Sequence, residues 1–272
     1  MKKTLALVSV VVLTVSSAWA VPIDVTINDP IDNARFSPST TTEDNETEIG
    51  TVSNQTWDLE RFTFEGASRT LNLIAGFDMR SGQGYYNNGN RTPYPYPMGD
   101  IFIRLGAPVF SGYNAGSDTM INAGWDYVIH FTSWPSGDGN VAYAVYANPA
   151  TTVLTGTVPG SAHPGIYHAW QSGGTLIGSW AGTYNDGATV AELNAAGGAG
   201  LQGDENSLTT DEHDILSVGL EWLGSETFYL HATMECGNDV IHGRVPVPDG
   251  GMTLVLLGLS FVGMTLFPRK RN

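Results

Sequence analysis

The segment TFYLHATM, residues 227–234, decides the fold class of this chain. Every second side chain is apolar and would share one face of a strand: Phe228, Leu230, Ala232 and Met234. The other face would carry Tyr229, His231 and Thr233. This alternation is typical of an antiparallel strand with one side on a core and the other on solvent or a groove.

A second segment, residues 125–131, shows the same two-residue period. Its core face would carry Trp125, Tyr127, Ile129 and Phe131, and its other face would carry Asp126 and His130.

Eight further short segments are rich in β-branched and aromatic residues and are separated by Gly, Asn, Asp and Pro. They are residues 57–64, 71–77, 100–105, 141–146, 152–158, 175–184, 215–220 and 239–243. Helical patterns are short and confined to residues 189–196 and 210–216. We therefore predict an all-β fold, an antiparallel, jelly-roll-like β-sandwich over residues 57–246, with a closed barrel as the alternative. Residues 21–56 form an acidic segment rich in Pro, Thr and Asn before it.

The N-terminus has the three parts of a secretory signal peptide. Lys2 and Lys3 precede an apolar run over residues 5–15, and Ala18 and Ala20 follow it as an Ala-x-Ala site. We predict that a signal peptidase removes residues 1–20. An uncleaved N-terminal anchor is the alternative.

The C-terminus carries a second three-part pattern. Its motif, Val247-Pro248-Asp249-Gly250-Gly251, is followed by an apolar run over residues 252–267 and then by Arg269, Lys270 and Arg271. Sixteen helical residues span roughly 24 Å, which predicts a single transmembrane helix near the lower length limit. The basic cluster would hold its end in the cytoplasm and leave residues 21–247 outside. A membrane anchor that is never processed is the alternative.

This motif, span and basic end resemble the VPDSG-CTERM sorting signal, a relative of PEP-CTERM that exosortases read in Gram-negative and verrucomicrobial bacteria. Gly250 stands where that motif usually has Ser. The resemblance implies cleavage near Pro248 and Asp249 by an exosortase, followed by release or attachment at the cell surface. It also implies the company of exopolysaccharide and biofilm matrix. Residues 228–243 more weakly resemble a segment of uncharacterised PEP-CTERM surface proteins.

Charge excludes one class of partner. The chain has 12 basic and 27 acidic residues, and five of the basic ones but only Asp249 of the acidic ones lie in the two ends. Residues 21–247 therefore carry a formal charge of −19, from 7 basic and 26 acidic side chains. Binding to nucleic acid or to an anionic lipid surface would be repulsive. Cys236 is the only cysteine, so no disulfide within the chain supports the fold.

Aromatic residues in polar loop sequence suggest a carbohydrate-binding module as an alternative function. Residues 81–99 form a stretch rich in Gly, Asn and Pro that reads as a loop between two strands. The candidate sugar contacts are Tyr85, Tyr86, Tyr94, Tyr96 and Trp134. Exposed rings can stack on sugar faces, although such rings also pin down long loops.

Catalytic and metal signals are weak. Glu221, Glu226 and Glu235 have the right chemistry for a glycoside hydrolase, but they form no compact motif, so we predict a non-enzymatic protein with the hydrolase as a lesser alternative. We predict no cofactor and no metal, with calcium as the alternative, for which Asp138 and Asp186 are the candidate ligands. Both also lie in sequences typical of ordinary hairpin turns.

Overall fold

The computed structural model describes residues 21–27, 58–87, 90–106, 125–148, 170, 172–201, 213–234 and 239–246. Their strands are β1 (Ile23–Asp24), β2 (Leu59–Glu65), β3 (Thr70–Ala75), β4 (Gln83–Asn87), β5 (Asn90–Tyr96), β6 (Met98–Leu105), β7 (Tyr127–Ser133), β8 (Gly139–Ala147), β9 (Thr175–Asn185), β10 (Asp214–Gly219), β11 (Phe228–Met234) and β12 (Val240–Val245). A short helix, α1 (Val190–Ala195), lies between β9 and β10. The prediction of an antiparallel, almost purely β fold is confirmed.

Ten strands form one antiparallel sheet in the order β1-β2-β3-β10-β9-β8-β7-β6-β11-β12. β4 and β5 form a separate two-stranded ribbon. The predicted division into two stacked sheets is not confirmed, because hydrogen bonds run without a break through all ten strands. The sheet instead curls around its own core.

The N-terminal residues join the two ends of the curled sheet. The Val25 N–H donates to the Phe62 carbonyl of β2 at 2.9 Å, and the Val25 carbonyl accepts from the Arg244 N–H of β12 at 2.7 Å. The Ile27 N–H adds a bond to the His242 carbonyl at 2.9 Å. Residues 23–27, which the sequence analysis placed in the segment before the domain, therefore lie between β2 and β12 and satisfy the hydrogen-bonding groups of both strands.

The concave side of the sheet encloses the main hydrophobic core. All four residues of the predicted core face of β11 belong to it, as do the alternating residues of β2, β3 and β8. These last are Phe62, Phe64, Leu71, Leu73, Val141, Tyr143 and Val145. The two-residue period of the sequence thus identifies the inner face of the sheet, as it should when one face is buried.

The outer face of β11 is not open to solvent, contrary to the sequence-based prediction. His231 and Thr233 are buried. The ring of Trp125 stacks on His231 with centroids 5.4 Å apart, and Phe102 lies beside both rings. Trp125 therefore covers the outside of the sheet and does not join the main core. Because this cover comes from a residue about a hundred positions away, the alternation in β11 could not reveal it.

The predicted helix at residues 189–196 is confirmed as α1. Thr189 caps it in a capping box with Glu192, and its buried Leu193 packs on Ile74 and Ile215 of the outer face. The helical interpretation of residues 210–216 is wrong from Asp214 onward, because this part is strand β10, paired with both β3 and β9.

The loop predicted for residues 81–99 is instead the β4–β5 ribbon, followed by the start of β6. Pro93 and Pro95 lie within β5. Proline lacks the N–H that a central strand needs, but a strand paired on one side only can tolerate it.

Several predicted segments lie outside the described residues. They are the signal peptide at 1–20, residues 28–56 of the acidic segment, the strand at 152–158 and the tail from Val247 to Asn272. In the part of the chain that is described, no helix is both long enough and apolar enough to cross a membrane.

Gly182 allows β9 to approach β10, which yields a test of the sheet order. A Cβ at this position would lie 2.2 Å from the Ser217 carbonyl oxygen, a backbone atom that cannot turn aside. We expect Gly182→Ala to lower the free energy of unfolding by about 2 kcal/mol in urea titrations, the usual range for overpacking.

Gly137→Ala is the matched control, because a Cβ there would meet nothing within 4 Å. We expect this change to alter the free energy of unfolding by less than about 0.5 kcal/mol. Equal stability of the two variants would contradict the observed packing of β9 on β10.

Candidate functional site

Three turns meet at one end of the sheet and bring together Asp78, Asp186 and Asp214. One carboxylate oxygen from each residue lies within 4.8 Å of the other two. Asp78 follows β3, Asp186 follows β9, and Asp214 begins β10. We call these three residues the acidic cluster.

Arg80 neutralises part of the acidic cluster. Its Nη2 donates to Asp78 Oδ2 at 2.9 Å and to Asp186 Oδ2 at 2.8 Å. Its guanidinium also lies 5.8 Å from the ring centroid of Tyr184, within the range of a cation–π contact. One cation therefore bridges two turns that are about a hundred residues apart in sequence.

Tyr184 links Asp78 to Asp214. Its hydroxyl lies 2.9 Å from Asp78 Oδ1 and also contacts Asp214 Oδ2. A phenol has one proton, so its hydroxyl cannot fully donate to two ionised carboxylates at once. Asp78 has Arg80 and Ser81 as further donors, whereas Asp214 is only 5% exposed and lacks a cationic partner among the described contacts. Asp214 is therefore the carboxyl group of the two that more readily takes up a proton.

The pKa values of Asp214 and Asp78 differ in the direction that these contacts predict: the first is raised and the second is lowered. Burial raises the pKa of Asp214 to about 6, and its hydrogen bonds only partly oppose this. Burial also tends to raise the pKa of Asp78, but hydrogen bonds from Ser81, Arg80 and Tyr184 outweigh it and lower that pKa to about 2. Burial, followed by the charge of Asp214, raises the pKa of Tyr184.

Two carboxyl groups with separated pKa values can serve as an acid and base pair, but here they hold the fold together. Asp214 Oδ1 accepts the Gly187 N–H at 2.8 Å and its Oδ2 accepts the Met79 N–H at 3.2 Å. The Met79 carbonyl in turn accepts the Met98 N–H at 2.8 Å, at the base of the β4–β5 ribbon. The acidic cluster thus anchors the ribbon to the sheet.

The acidic cluster is also where the described residues could hold a cation. Three carboxylates at this spacing offer the hard oxygen ligands that Ca²⁺ prefers. Arg80 already supplies positive charge to Asp78 and Asp186, so a Ca²⁺ ion would have to compete with it. Calcium binding stays a prediction.

The structure brings three sequence-predicted residues to this end of the sheet. Asp186 belongs to the acidic cluster, and its N–H donates to Asp138 Oδ1 at 2.7 Å. Trp134 is partly buried and packs edge-on against Tyr184 at 5.3 Å. Asp138 therefore acts here as a hydrogen-bond acceptor for the turn at Asp186, and Trp134 covers the core beside the acidic cluster.

The sequence analysis missed the central members of this site. They are Asp78, Arg80, Tyr184 and Asp214. One local signal existed, because Asp78 Oδ1 accepts the N–H groups of Arg80 and Ser81, both at 3.0 Å, in an Asx turn. The juxtaposition with Asp214 depends on sheet order and has no local signal.

The four candidate tyrosines lie in the β4–β5 ribbon. Gln83 is paired with Tyr96 and Tyr86 with Arg91, whereas Tyr85 lies at a register irregularity. Tyr94 is in β5. The backbone of this ribbon is described, but its side chains are not.

Two of the three predicted hydrolase residues lie in the described part of the chain. Glu221 and Glu226 are exposed in the turn between β10 and β11, and Glu235 lies outside the described residues. Cys236 and the predicted sorting motif Val247-Pro248-Asp249-Gly250-Gly251 also lie outside.

A His–Asp pair occupies the outer face of β6 and β7. His130 Nδ1 and Asp100 Oδ1 are 2.8 Å apart, and the other Asp100 oxygen accepts the Trp170 N–H at 2.6 Å. The hydrogen bond to Asp100 raises the pKa of His130. The Trp170 ring, 4.8 Å away, packs over the imidazole. Through these contacts the His130–Asp100 pair holds Trp170 against the sheet.

Comparison with known proteins gives no family. No family model, no curated protein and no solved structure matches the chain. Function is therefore argued from the chain's own residues.

The buried Asp214 predicts a distinct dependence of stability on pH. Its pKa is 3.8 when unperturbed and about 6 in the folded chain. As pH rises through this window the unfolded chain loses the proton first, so the free energy of unfolding falls, by about 2–3 kcal/mol in total. We expect Asp214→Asn, which has no proton to lose, to lack this fall in urea titrations between about pH 4 and pH 7.

Glu226→Gln is the control, because it removes an exposed carboxylate and should keep the wild-type decline. If Asp214→Asn declined in parallel with the wild type, the raised pKa of Asp214 would be refuted.

Proposed function

We propose that this chain is an exported, non-enzymatic protein of the cell surface or extracellular matrix, processed at both ends. Signal peptidase acts after Ala20, and an exosortase acts on the motif that begins at Val247. The exosortase and the exopolysaccharide are its expected partners. The apolar run 252–267 holds the precursor in the membrane until cleavage.

The position of the domain ends carries this proposal. The first strand begins at Ile23, three residues after Ala20, and the last ends at Val245, two residues before the sorting motif. These two ends lie side by side, joined by the bond from the Arg244 N–H to the Val25 carbonyl. Both proposed cuts therefore fall outside the sheet and would leave a complete domain, which supports processing at these points.

Within this proposal the ectodomain is jelly-roll-like. The half of the curled sheet that contains β2 packs against the half that contains β8, and one core lies between them. Core residues from both halves, such as Phe62 and Val145, support it.

Deletion of residues 250–272 tests the sorting route. In a host that carries an exosortase, we expect the full chain to pass through a membrane-bound intermediate to the surface. The deleted chain should go directly to the medium, since no hydrophobic segment halts it. Immunoblots of membrane, surface and medium fractions measure this. Replacing Lys2 and Lys3 by Ala is the control for the first step of the route, export by the signal peptide. Identical fractionation of the full and deleted chains would contradict the proposal.

A carbohydrate-binding module is the second candidate function. The β4–β5 ribbon favours it, because it stands apart from the ten-stranded sheet and carries Tyr85, Tyr86, Tyr94 and Tyr96 on one hairpin. A glycan array probed with the wild type, and with all four tyrosines changed to Ala, tests this candidate.

The hydrolase alternative receives less support. Asp78 and Asp214 have separated pKa values, but Asp214 is buried and both carboxylates are bonded to the protein's own groups. A substrate would have to displace these bonds to reach them.

A further inference from the structure

The antiparallel pairing of the ten-stranded sheet gathers the strand ends at two opposite ends of the domain. β12, the last strand before the predicted tail, finishes at Val245. β2, β6, β8 and β10 finish at the same end, and β1, β3, β7, β9 and β11 begin there. We call this the tail end of the sheet.

The large hydrophobic side chains that are exposed among the described residues all lie at the tail end. Val21 is 69% exposed and lies two residues before β1, whose Ile23 pairs with Phe64 near the end of β2. Leu176 and Ile177 are 55% and 48% exposed and are the second and third residues of β9. Exposed apolar residues that are scattered singly need no explanation, but these three share one end of the molecule.

The three side chains lie at separate places on the rim of the tail end. Val21 adjoins β1, whereas Leu176 and Ile177 belong to β9, and β2, β3 and β10 lie between these strands in the sheet. A compact ligand would reach only one of the two places. A flat surface laid across the tail end would reach both.

The charge of the tail end is mixed. Basic and acidic side chains both lie at its strand ends and turns: Arg69, Arg104 and Arg244 with Glu65, Asp126, Glu221 and Glu226. The acidic cluster lies at the opposite end, where β3 and β9 finish and β10 begins. The tail end therefore suits an uncharged surface better than the opposite end does.

The chain itself would bring such a surface to the tail end. Residues 246–251 are all that separates β12 from the apolar run over residues 252–267. Six residues reach at most about 20 Å, even when fully extended. In the precursor of the proposed function, a membrane that holds this run is therefore within about 20 Å of the tail end.

We propose that the tail end of the precursor rests on an uncharged phospholipid surface, with Val21, Leu176 and Ile177 inserted among the headgroups. This inference rests on the proposed function, because it requires the tail to lie in a membrane. It adds a contact between the folded domain and the lipid, and it places the acidic cluster and the β4–β5 ribbon at the end that is remote from the membrane.

The contact depends on the tail as a tether. The three side chains together carry fewer carbon atoms than one myristoyl chain, which by itself binds a bilayer only marginally. A short tether raises the effective concentration of the lipid surface to the millimolar range, at which a weak contact forms. Cleavage at the proposed sorting motif removes the tether, so the same cut would also release the domain from the lipid.

Quenching by spin-labelled lipids tests the contact. The full chain is expressed through the secretion route of a host that lacks an exosortase, so that the tail is kept, and is reconstituted into phosphatidylcholine vesicles. With Cys236→Ser to remove the native thiol, a fluorophore is attached through Ile177→Cys. Ser136→Cys, in the exposed turn between β7 and β8 at the opposite end, is the matched control. We expect nitroxides on the lipid headgroups to remove most of the fluorescence at residue 177 and little at residue 136.

A further variant identifies the side chains that make the contact. Val21→Ser combined with Leu176→Ser should lower the quenching at residue 177. The urea unfolding curve should stay unchanged, because both side chains are exposed. Unchanged quenching at residue 177 in this variant would overturn the assignment of the contact to these side chains.

The other outcomes separate this contact from the proposed function. A chain that does not float with the vesicles would overturn the membrane tail and this contact together. Flotation with equal quenching at residues 177 and 136 would overturn the contact and keep the tail. Shielding of residue 177 that persists in detergent and grows with protein concentration would assign the tail end to a second copy of the chain and overturn the lipid contact.

Discussion

A sheet of ten strands leaves a row of backbone donors and acceptors at each end, and Val25 resolves this constraint. Its N–H is bonded to β2 and its carbonyl to β12, so one residue closes the two edges against each other. The Thr26 side chain adds a bond from the Phe62 N–H at 2.9 Å. The enclosed core depends on this closure, because separated edges would expose Phe62 and Ile241 to water.

The same closure brings the first and last strands of the domain together, close to the two proposed processing sites. The segment that completes the sheet begins directly after the proposed signal-peptidase site, and its partner strand ends directly before the proposed sorting motif. Cleavage within residues 23–27 would remove the closing strand, whereas cleavage after Ala20 keeps it. The proposed cut after Ala20 is therefore compatible with the closed sheet.

Local sequence periodicity predicts the strands well and their surroundings poorly. The core face of β11 follows from its alternation, since burial acts on every second residue. The ribbon was missed because Gly, Asn and Pro in residues 83–96 are typical of loops. The contact of Asp214 with Tyr184 and the cover of Trp125 over His231 were missed because both pairs meet only through the order of the strands. The single curled sheet was missed for a similar reason, since its closing strand is short and adjoins an acidic, loop-like segment.

Hydrogen exchange on the full chain tests the closure most directly. The amides of Val25, Ile27 and Arg244 all donate to backbone carbonyls across the junction. The account predicts that peptides covering residues 23–27 and 240–245 exchange slowly and together, at the rate of the central strands, because opening one edge opens the other. Rapid exchange of residues 23–27 beside a protected β2 and β12 would contradict it.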